Sequence, residues 1–307
     1  MLYKPFAAEC SNRSVLAKKH RIAGDPEDWL TNDLLSRYSI RQISFDFFVN
    51  WSNWLVSSEI WVKRLADDKE IDVNPENLQN LIYECDGEEF VKDLAKFAGD
   101  NTLTYKIFRE DTDWNSQLVD PTSKPILDVK IDVHGKVVEV KKWGLVSLMQ
   151  QIRNLSGGPV RVGEKGLRIA FTDLECFLSR TDAAWPGDVD MMLVNDKNEV
   201  LAILEFKKHT LDDAIENHTF DIYYPNKDRR KYNRLALLRD AIEGCPPIIV
   251  IYYPTKEHID NIIIEKIYGQ AGKLYSSDRV YLDLPIEMRQ KEILLENILQ
   301  LLHIGSK

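Results

Sequence analysis

The sequence predicts an α/β protein in which a mixed sheet sandwiched by helices is preceded by a smaller α+β domain. Three observations carry this. From residue 156 onward helix-like and strand-like segments alternate, the signature of layered α/β architecture. Two of the strand-like segments, VLAILEF (200–206) and PIIVIYY (247–253), are continuous apolar runs rather than alternations, as expected where helices cover both faces of a sheet. Before residue 156 a helix-like opening gives way to a polar–apolar alternating hairpin.

The elements follow in order. Residues 26 to about 98 read as helical. PEDWLTNDLLSRY (26–38) has an acidic first turn, and ISFDFFVNWSNWLVSSEIWVKRL (43–65) repeats aromatic and apolar residues at steps of three and four, which puts Trp51, Trp54 and Trp61 on one helical stripe read as core. NPENLQNLIYECDGEEFVKDLAKFAGD (74–100) supplies two shorter helices, the second closed by Gly99. LTYKIF (103–108) is a strand, and ILDVKIDV and KVVEVKKW pair across His134-Gly135 as a hairpin. After a helix at 145–155 comes SGGPVRVGEKG, a dense glycine cluster that sets the boundary between domains 1–155 and 156–307. Beyond it the expected order is helix (TDLECFLS), strand (GDVDMMLV), strand (EVLAILEF), helix (DRRKYNRLALLRDAI), strand (PIIVIYY), helix (KEHIDNIIIEKIY), strand (RVYLDL) and helix (EMRQKEILLENILQLL). No collagen-like, heptad or solenoid period recurs.

Composition narrows the function. With 307 residues, 44% hydrophobic and 29% charged, the chain can bury two cores. No apolar stretch approaches the ~20 residues of a membrane helix. The start, MLYKPFAAECSNRS, lacks an apolar leader, so a cytoplasmic location is expected. A net charge of -9 argues against coating nucleic acid by bulk attraction, so such a partner has to be met by a local basic patch. Cys10, Cys85, Cys176 and Cys245 show no CxxC and no zinc spacing, and read as reduced, packing thiols. The six histidines lack metal-ligand spacing, although His209 and His218 fall close enough to enter a site. Phosphate-loop, dinucleotide and GxSxG motifs are missing.

The informative stretch is PGDVDMMLVNDKNEVLAILEFKK (186–208). Side chains alternate along a strand, so Asp188 and Asp190 share a face, as do Glu205 and Lys207, with Phe206 opposite. The turn at Asn195–Asn198 pairs the strands antiparallel. A two-residue loop puts Asp190 across from Glu205, and a four-residue loop puts Asp188 there instead. Either way carboxylates from two strands meet a lysine. Adjacent carboxylates need compensation, and a hard divalent cation with oxygen ligands supplies it. Mg²⁺, or Mn²⁺ in its place, is the expected cofactor, and metal-assisted phosphodiester hydrolysis the chemistry.

At these residues the chain resembles the PD-(D/E)XK nuclease superfamily, whose signature is an Asp on one strand, a hairpin, and Glu/Asp-X-Lys on the next. Asp190 matches the Asp and Glu205-Phe206-Lys207 the E-X-K, over roughly residues 165 to 253. The resemblance implies a restriction-endonuclease-like core. It implies further that Asp190, Glu205 and the carbonyl of Phe206 bind the metal and that Lys207 positions the nucleophile. Asp188 occupies a place where some members carry a further acid, and Glu175 in TDLECFLS is the candidate for the acid the family often adds from the preceding helix. A second match, Glu139-Val140-Lys141 after Asp128 and Asp132, lies on alternating strands and reads as a solvated face.

Lys227, Arg230, Lys231 and Arg234 recur at helical spacing and offer a stripe for phosphates, with Lys208 as a further contact and Tyr232 as a stacking or core-edge group. The expected protein is a Mg²⁺-dependent nuclease acting on DNA, with residues 1–155 selecting substrate or mediating assembly. Its partners are nucleic acid and, as an option, a second copy in a homodimer, with no membrane. The rival is a non-catalytic nuclease-fold protein that binds nucleic acid or acts as an assembly subunit.

Overall fold

The computed structural model describes residues 1–67, 73–110, 112–118, 125–163, 165–226 and 228–303. The chain is α/β, with strands in mixed sheets flanked by helices. In chain order the elements are β1 (Leu2–Tyr3), β2 (Ala8–Glu9), β3 (Asn12–Leu16), α1 (Pro26–Trp29), α2 (Asn32–Ser36), β4 (Ile40–Asn50), β5 (Leu55–Ala66), α3 (Pro75–Asp86), α4 (Glu88–Ala98), β6 (Thr102–Arg109), β7 (Ile126–Ile131), β8 (Val137–Trp143) and α5 (Leu145–Leu155). They continue with β9 (Ile169–Ala170), α6 (Asp173–Leu178), β10 (Gly187–Asn195), β11 (Val200–His209), α7 (Phe220–Tyr223), α8 (Arg229–Ala241), β12 (Ile248–Pro254), β13 (Asn261–Gln270), β14 (Lys273–Asp283) and α9 (Met288–His303). Two compact units result: residues 1–17 with 45–188, and residues 18–44 with 189–307. The division therefore falls away from the glycine cluster at 156–166.

In the first unit β4 and β5 pair antiparallel, β5 and β6 parallel through the crossover helices α3 and α4, and β6–β7 and β7–β8 antiparallel. One face packs Phe48, Trp61, Leu65 and Phe108 against α5 and α6. In the second unit β10 and β11 pair antiparallel, β11 and β12 parallel through α7 and α8, and β12–β13 and β13–β14 antiparallel. One face packs Met191, Leu193, Leu204, Ile249 and Ile251 against α1, α2 and α9. Each fully buried Leu or Ile there contributes about 1.5–3 kcal/mol over an exposed one.

Several expectations are corrected. Residues 40–66 form a hairpin rather than a helix, with Trp51 and Trp54 at its turn and Trp61 in a strand. The run is rich in aromatic and β-branched residues and buried on both faces, so its apolar spacing mimics a helical stripe. Residues 261–270 are likewise a strand, because Ile262, Ile263 and Ile264 are all fully buried, which a sheet covered on both faces allows. The first half is accordingly not α+β but a mixed sheet with its own parallel crossover. Cys10 and Cys176 form a disulfide, against the expectation of four reduced thiols, while Cys85 and Cys245 are free. The two paired cysteines lie 166 positions apart, so spacing gave no hint of them. Among the described residues no helix is long and apolar enough to cross a membrane.

Candidate functional site

The site rests on the alternation of β11. Leu204 packs into the core beneath α1, α2 and α9, and Phe206 packs against that core, so Glu205 and Lys207 face the α8 side. On β10, Met191 and Leu193 enter the same core, which turns Asp190 toward α8 as well. The ladder pairs Met191 with Leu204, the register that continues to Asp190 opposite Glu205. The connection is neither two nor four residues long. Asn195 pairs with Glu199, Asn198 adopts φ 65°, and a bulge between Leu193 and Val194 returns the strands to that register.

Glu205 has no exposed surface. Lys231 of α8 brings its ammonium to 2.6 Å from Oε1 of Glu205 and 4.0 Å from Oδ1 of Asp190, and Lys207 Nζ stands 3.6 Å from the same Oε1. Oε2 of Glu205 has no hydrogen-bond partner among the described residues. Asp190 Oδ2 accepts the backbone N–H of Phe206 at 2.7 Å. Lys207 is held on its other side by Asp228 at 2.9 Å and lies 5.3 Å over the ring of Tyr232. Tyr232 is fully buried, packed edge-on against Phe220, and burial raises its phenol well above the ordinary value, followed by the neighbouring Tyr252 and Glu205.

The other expected residues have partners of their own. Asp188 and Glu175 both add their charge to the Asp46–Lys63 pair. Glu175 caps α6 by accepting from the N–H of Thr172 at 2.8 Å, and its other oxygen stands 2.9 Å from Lys63 Nζ. Lys63 also holds Asp46 at 2.9 Å, and Trp185 donates its indole N–H to Asp46 at 2.9 Å. Burial pushes the Asp46 carboxyl up to about 6 against the pull of Lys63, and the charge of Asp188 adds to that rise. Lys208 is committed to the carbonyl of Lys18 at 2.8 Å and lies 3.5 Å from Asp25. Arg230, Lys231 and Arg234 stand on α8, while Lys227 lies outside the described residues. The second E-X-K match is solvated: Glu139 and Lys141 pair with each other at 2.9 Å with both side chains about half exposed, and Asp128 pairs with Lys106.

Two features were not read from the sequence. Asp228 anchors Lys207, a contact across a loop that no spacing rule reaches. His209 and His218, spotted only as nearby, bond each other through their Nδ1 atoms at 2.7 Å. His209 Nε2 lies 2.9 Å from the carbonyl of Asp213, which can only accept, so Nε2 carries a proton.

The donors present suit a small hard cation. The carboxylates of Asp190 and Glu205 offer oxygen donors, and Mg²⁺ is commonly held by one or two carboxylates with water completing its shell. Among the described residues no group of three or more His, Cys, Asp or Glu side chains is arranged to hold a metal. Fold and site together define a class: an α/β protein with a buried two-carboxylate, two-lysine site beneath a crossover helix. No protein-family model matches the chain, and no curated protein matches it.

Proposed function

We propose that the protein is a Mg²⁺-dependent phosphodiesterase acting on nucleic acid, DNA in the first instance. The observation that carries this is Glu205: a carboxylate with no exposed surface, one oxygen unbonded, sharing Lys231 with Asp190 and within reach of Lys207 as well. A buried carboxylate is kept only where cationic partners compensate it. Asp190, Glu205 and the Phe206 carbonyl would hold the ion. Bound there, Mg²⁺ lowers the pKa of water and neutralises charge growing on a phosphate. Lys207, steadied by Asp228 and the Tyr232 ring, positions the attacking water, and Lys231 turns from Glu205 to the phosphate. The restriction-endonuclease-like resemblance supports the same assignment of Asp190, Glu205 and Lys207.

Cleavage assays on supercoiled, linear and single-stranded DNA and on RNA, with Mg²⁺, with Mn²⁺ and with chelator, test this. Glu205→Gln and Lys207→Ala are expected to lower cutting by at least ~10²-fold, a typical worth of one positioned catalytic group, while circular dichroism stays native. Glu139→Gln is expected to change nothing. Full activity in the Glu205 and Lys207 variants would overturn the assignment. The second reading, a binding subunit without hydrolysis, draws on Lys231 itself, which already satisfies Glu205. It predicts nucleic-acid binding that survives all three substitutions, with no cutting by the wild type.

A further inference from the structure

The two units have one topology. Each runs strand, antiparallel strand, crossover helices, parallel strand, two further antiparallel strands and a closing helix: β4–β5–α3/α4–β6–β7–β8–α5 and β10–β11–α7/α8–β12–β13–β14–α9. Details of the opening hairpins repeat. Asn50 and Asn195 end the first strands, and the side-chain oxygen of each accepts a backbone N–H two residues on, from Ser52 and from Lys197. Each turn uses a non-glycine residue at positive φ just before the second strand, Trp54 at 62° and Asn198 at 65°. Each hairpin carries a bulge, between Phe47 and Val49 and between Leu193 and Val194.

The helices before these hairpins match as well. The tripeptide Arg-Ile-Ala occurs at 21–23 ahead of α1 and at 168–170 ahead of α6. In each helix a carboxylate three residues past the N-cap accepts the N-cap N–H: Asp28 from Asp25 at 2.9 Å, Glu175 from Thr172 at 2.8 Å. The pair is exchanged: α1 and α2 precede β4 in the chain yet belong to the second unit, and α6 precedes β10 yet belongs to the first. Unrelated modules would have no reason to share turn chemistry, bulges, capping and this reciprocal assignment.

We infer that the chain is an internal duplication of one module and that only the second copy is hydrolytic, so that each chain holds one metal site and breaks one phosphodiester per binding event. The positions on the crossover-helix side decide it. In the second copy that side of the opening hairpin carries Asp190, Glu205 and Lys207. In the first, Arg64 reaches Asp86 of α3 at 2.7 Å and Phe45 stacks on Phe97 of α4, which fixes the same side as Phe45 and Phe47 on β4 and Ile60, Val62 and Arg64 on β5. Arg64–Asp86 repeats the cation–acid contact of Lys207–Asp228, but no carboxylate from the hairpin stands beside it. The acids Asp46 and Glu175 lie on the opposite side, with Trp61, and both are bound to buried Lys63.

The inference rests on the proposed hydrolysis for its cleavage outcome and on topology for its stoichiometry. At the scission one water adds across one P–O bond, leaving a phosphate monoester end and a hydroxyl end. Two measurements on the full chain test it. Mn²⁺ titration followed by calorimetry is expected to give one ion per chain, lost in Glu205→Gln and kept in Asp46→Asn. With supercoiled plasmid in excess over monomeric protein, open circles are expected to accumulate before linear molecules. Two ions per chain, or one that survives Glu205→Gln and disappears in Asp46→Asn, overturns the single site while leaving hydrolysis standing. Linear product appearing without an open-circle phase overturns the one-bond rule. No ion bound and no cutting overturns the proposed function, and this inference with it.

Discussion

Lys231 Nζ lies 2.6 Å from Oε1 of Glu205, joining a side chain about one-third exposed to one with no exposed surface. The lysine comes from α8 and the glutamate from β11, so the pair ties the crossover helix to the strand that bears the site. Removing one partner of a buried ion pair typically costs about 3–5 kcal/mol because the other is left uncompensated. Lys231→Met should therefore lose up to about 3 kcal/mol in urea unfolding with chelator present, since Lys207 at 3.6 Å still offsets part of the charge. Excess Mg²⁺ should restore much of the loss by supplying the missing cation. Stability in chelator equal to that of the wild type would show that the pair does not hold the helix.

Tyr232 separates ring from hydroxyl. Lys207 lies over the ring at 5.3 Å, so the cation–π contact, worth ~0.5–2 kcal/mol, depends on the aromatic face rather than on the oxygen. Tyr232→Phe should keep nuclease turnover within about threefold. Tyr232→Ala removes the platform and opens a cavity beneath α8, at about 3–5 kcal/mol in unfolding free energy. A Phe variant as inactive as Lys207→Ala would move the hydroxyl into the chemistry.

What the sequence made legible was the local pattern at the site. Gly187-Asp188-Val189-Asp190 and Glu205-Phe206-Lys207 sit on strands where alternation alone fixes their faces, and the ladder ends at Met191 with Leu204, the neighbours of Asp190 and Glu205. The helix pair at 75–98, the hairpin at 126–143 and the closing helix were readable from caps, turns and periodicity. The segments at 40–66 and 261–270 were misread for one reason. A strand buried on both faces has no period of two, and its crowded apolar residues match a helical template equally well. The surroundings of Asp188 and Glu175 were not legible for another: both act on the Asp46–Lys63 pair, whose residues lie more than a hundred positions earlier in the chain. The duplication itself hid because beyond Arg-Ile-Ala and the strand-ending Asn what repeats is geometry, with the positive φ met by Trp54 once and Asn198 the other time.

His218 supplies a pH dependence with a definite sign. Burial lowers its imidazole from 6.5 to about 4, with His209 and Lys207 adding to the fall and Asp213 and Asp228 opposing it. The unfolded chain then binds a proton that the folded chain refuses between pH 6.5 and 4. This contribution to stability is complete above pH 6.5 and is lost as pH falls toward 4. His218→Gln should flatten that limb, read as the difference in urea midpoint between wild type and variant across the window. Asp46, raised from 3.8 to about 6, acts with the opposite sign but equally in both proteins, so the difference isolates His218. An unchanged slope in the variant would mean that His218 is not kept neutral.

The Cys10–Cys176 bond gives the last test, and its connectivity sets the magnitude. Cys10 follows β2, its N–H donates to the carbonyl of Arg168, and β2 pairs with β9 just ahead of α6, so the bond closes a segment whose ends already meet in the native fold. A cross-link over a loop of this length removes enough freedom from the unfolded chain to be worth about 3–5 kcal/mol. Two thiols, Cys85 and Cys245, should react with a chromogenic disulfide reagent in the unfolded, unreduced protein, and four after reduction. Reduction should lower the wild-type unfolding midpoint and leave that of Cys176→Ser untouched. Since both cysteines and α6 belong to the first unit while Asp190, Glu205 and Lys207 belong to the second, cutting by reduced protein at moderate temperature should match that of oxidised protein. Four reactive thiols before any reductant is added would refute the pairing. Loss of cutting upon reduction would instead show that the bond reaches the hydrolytic copy.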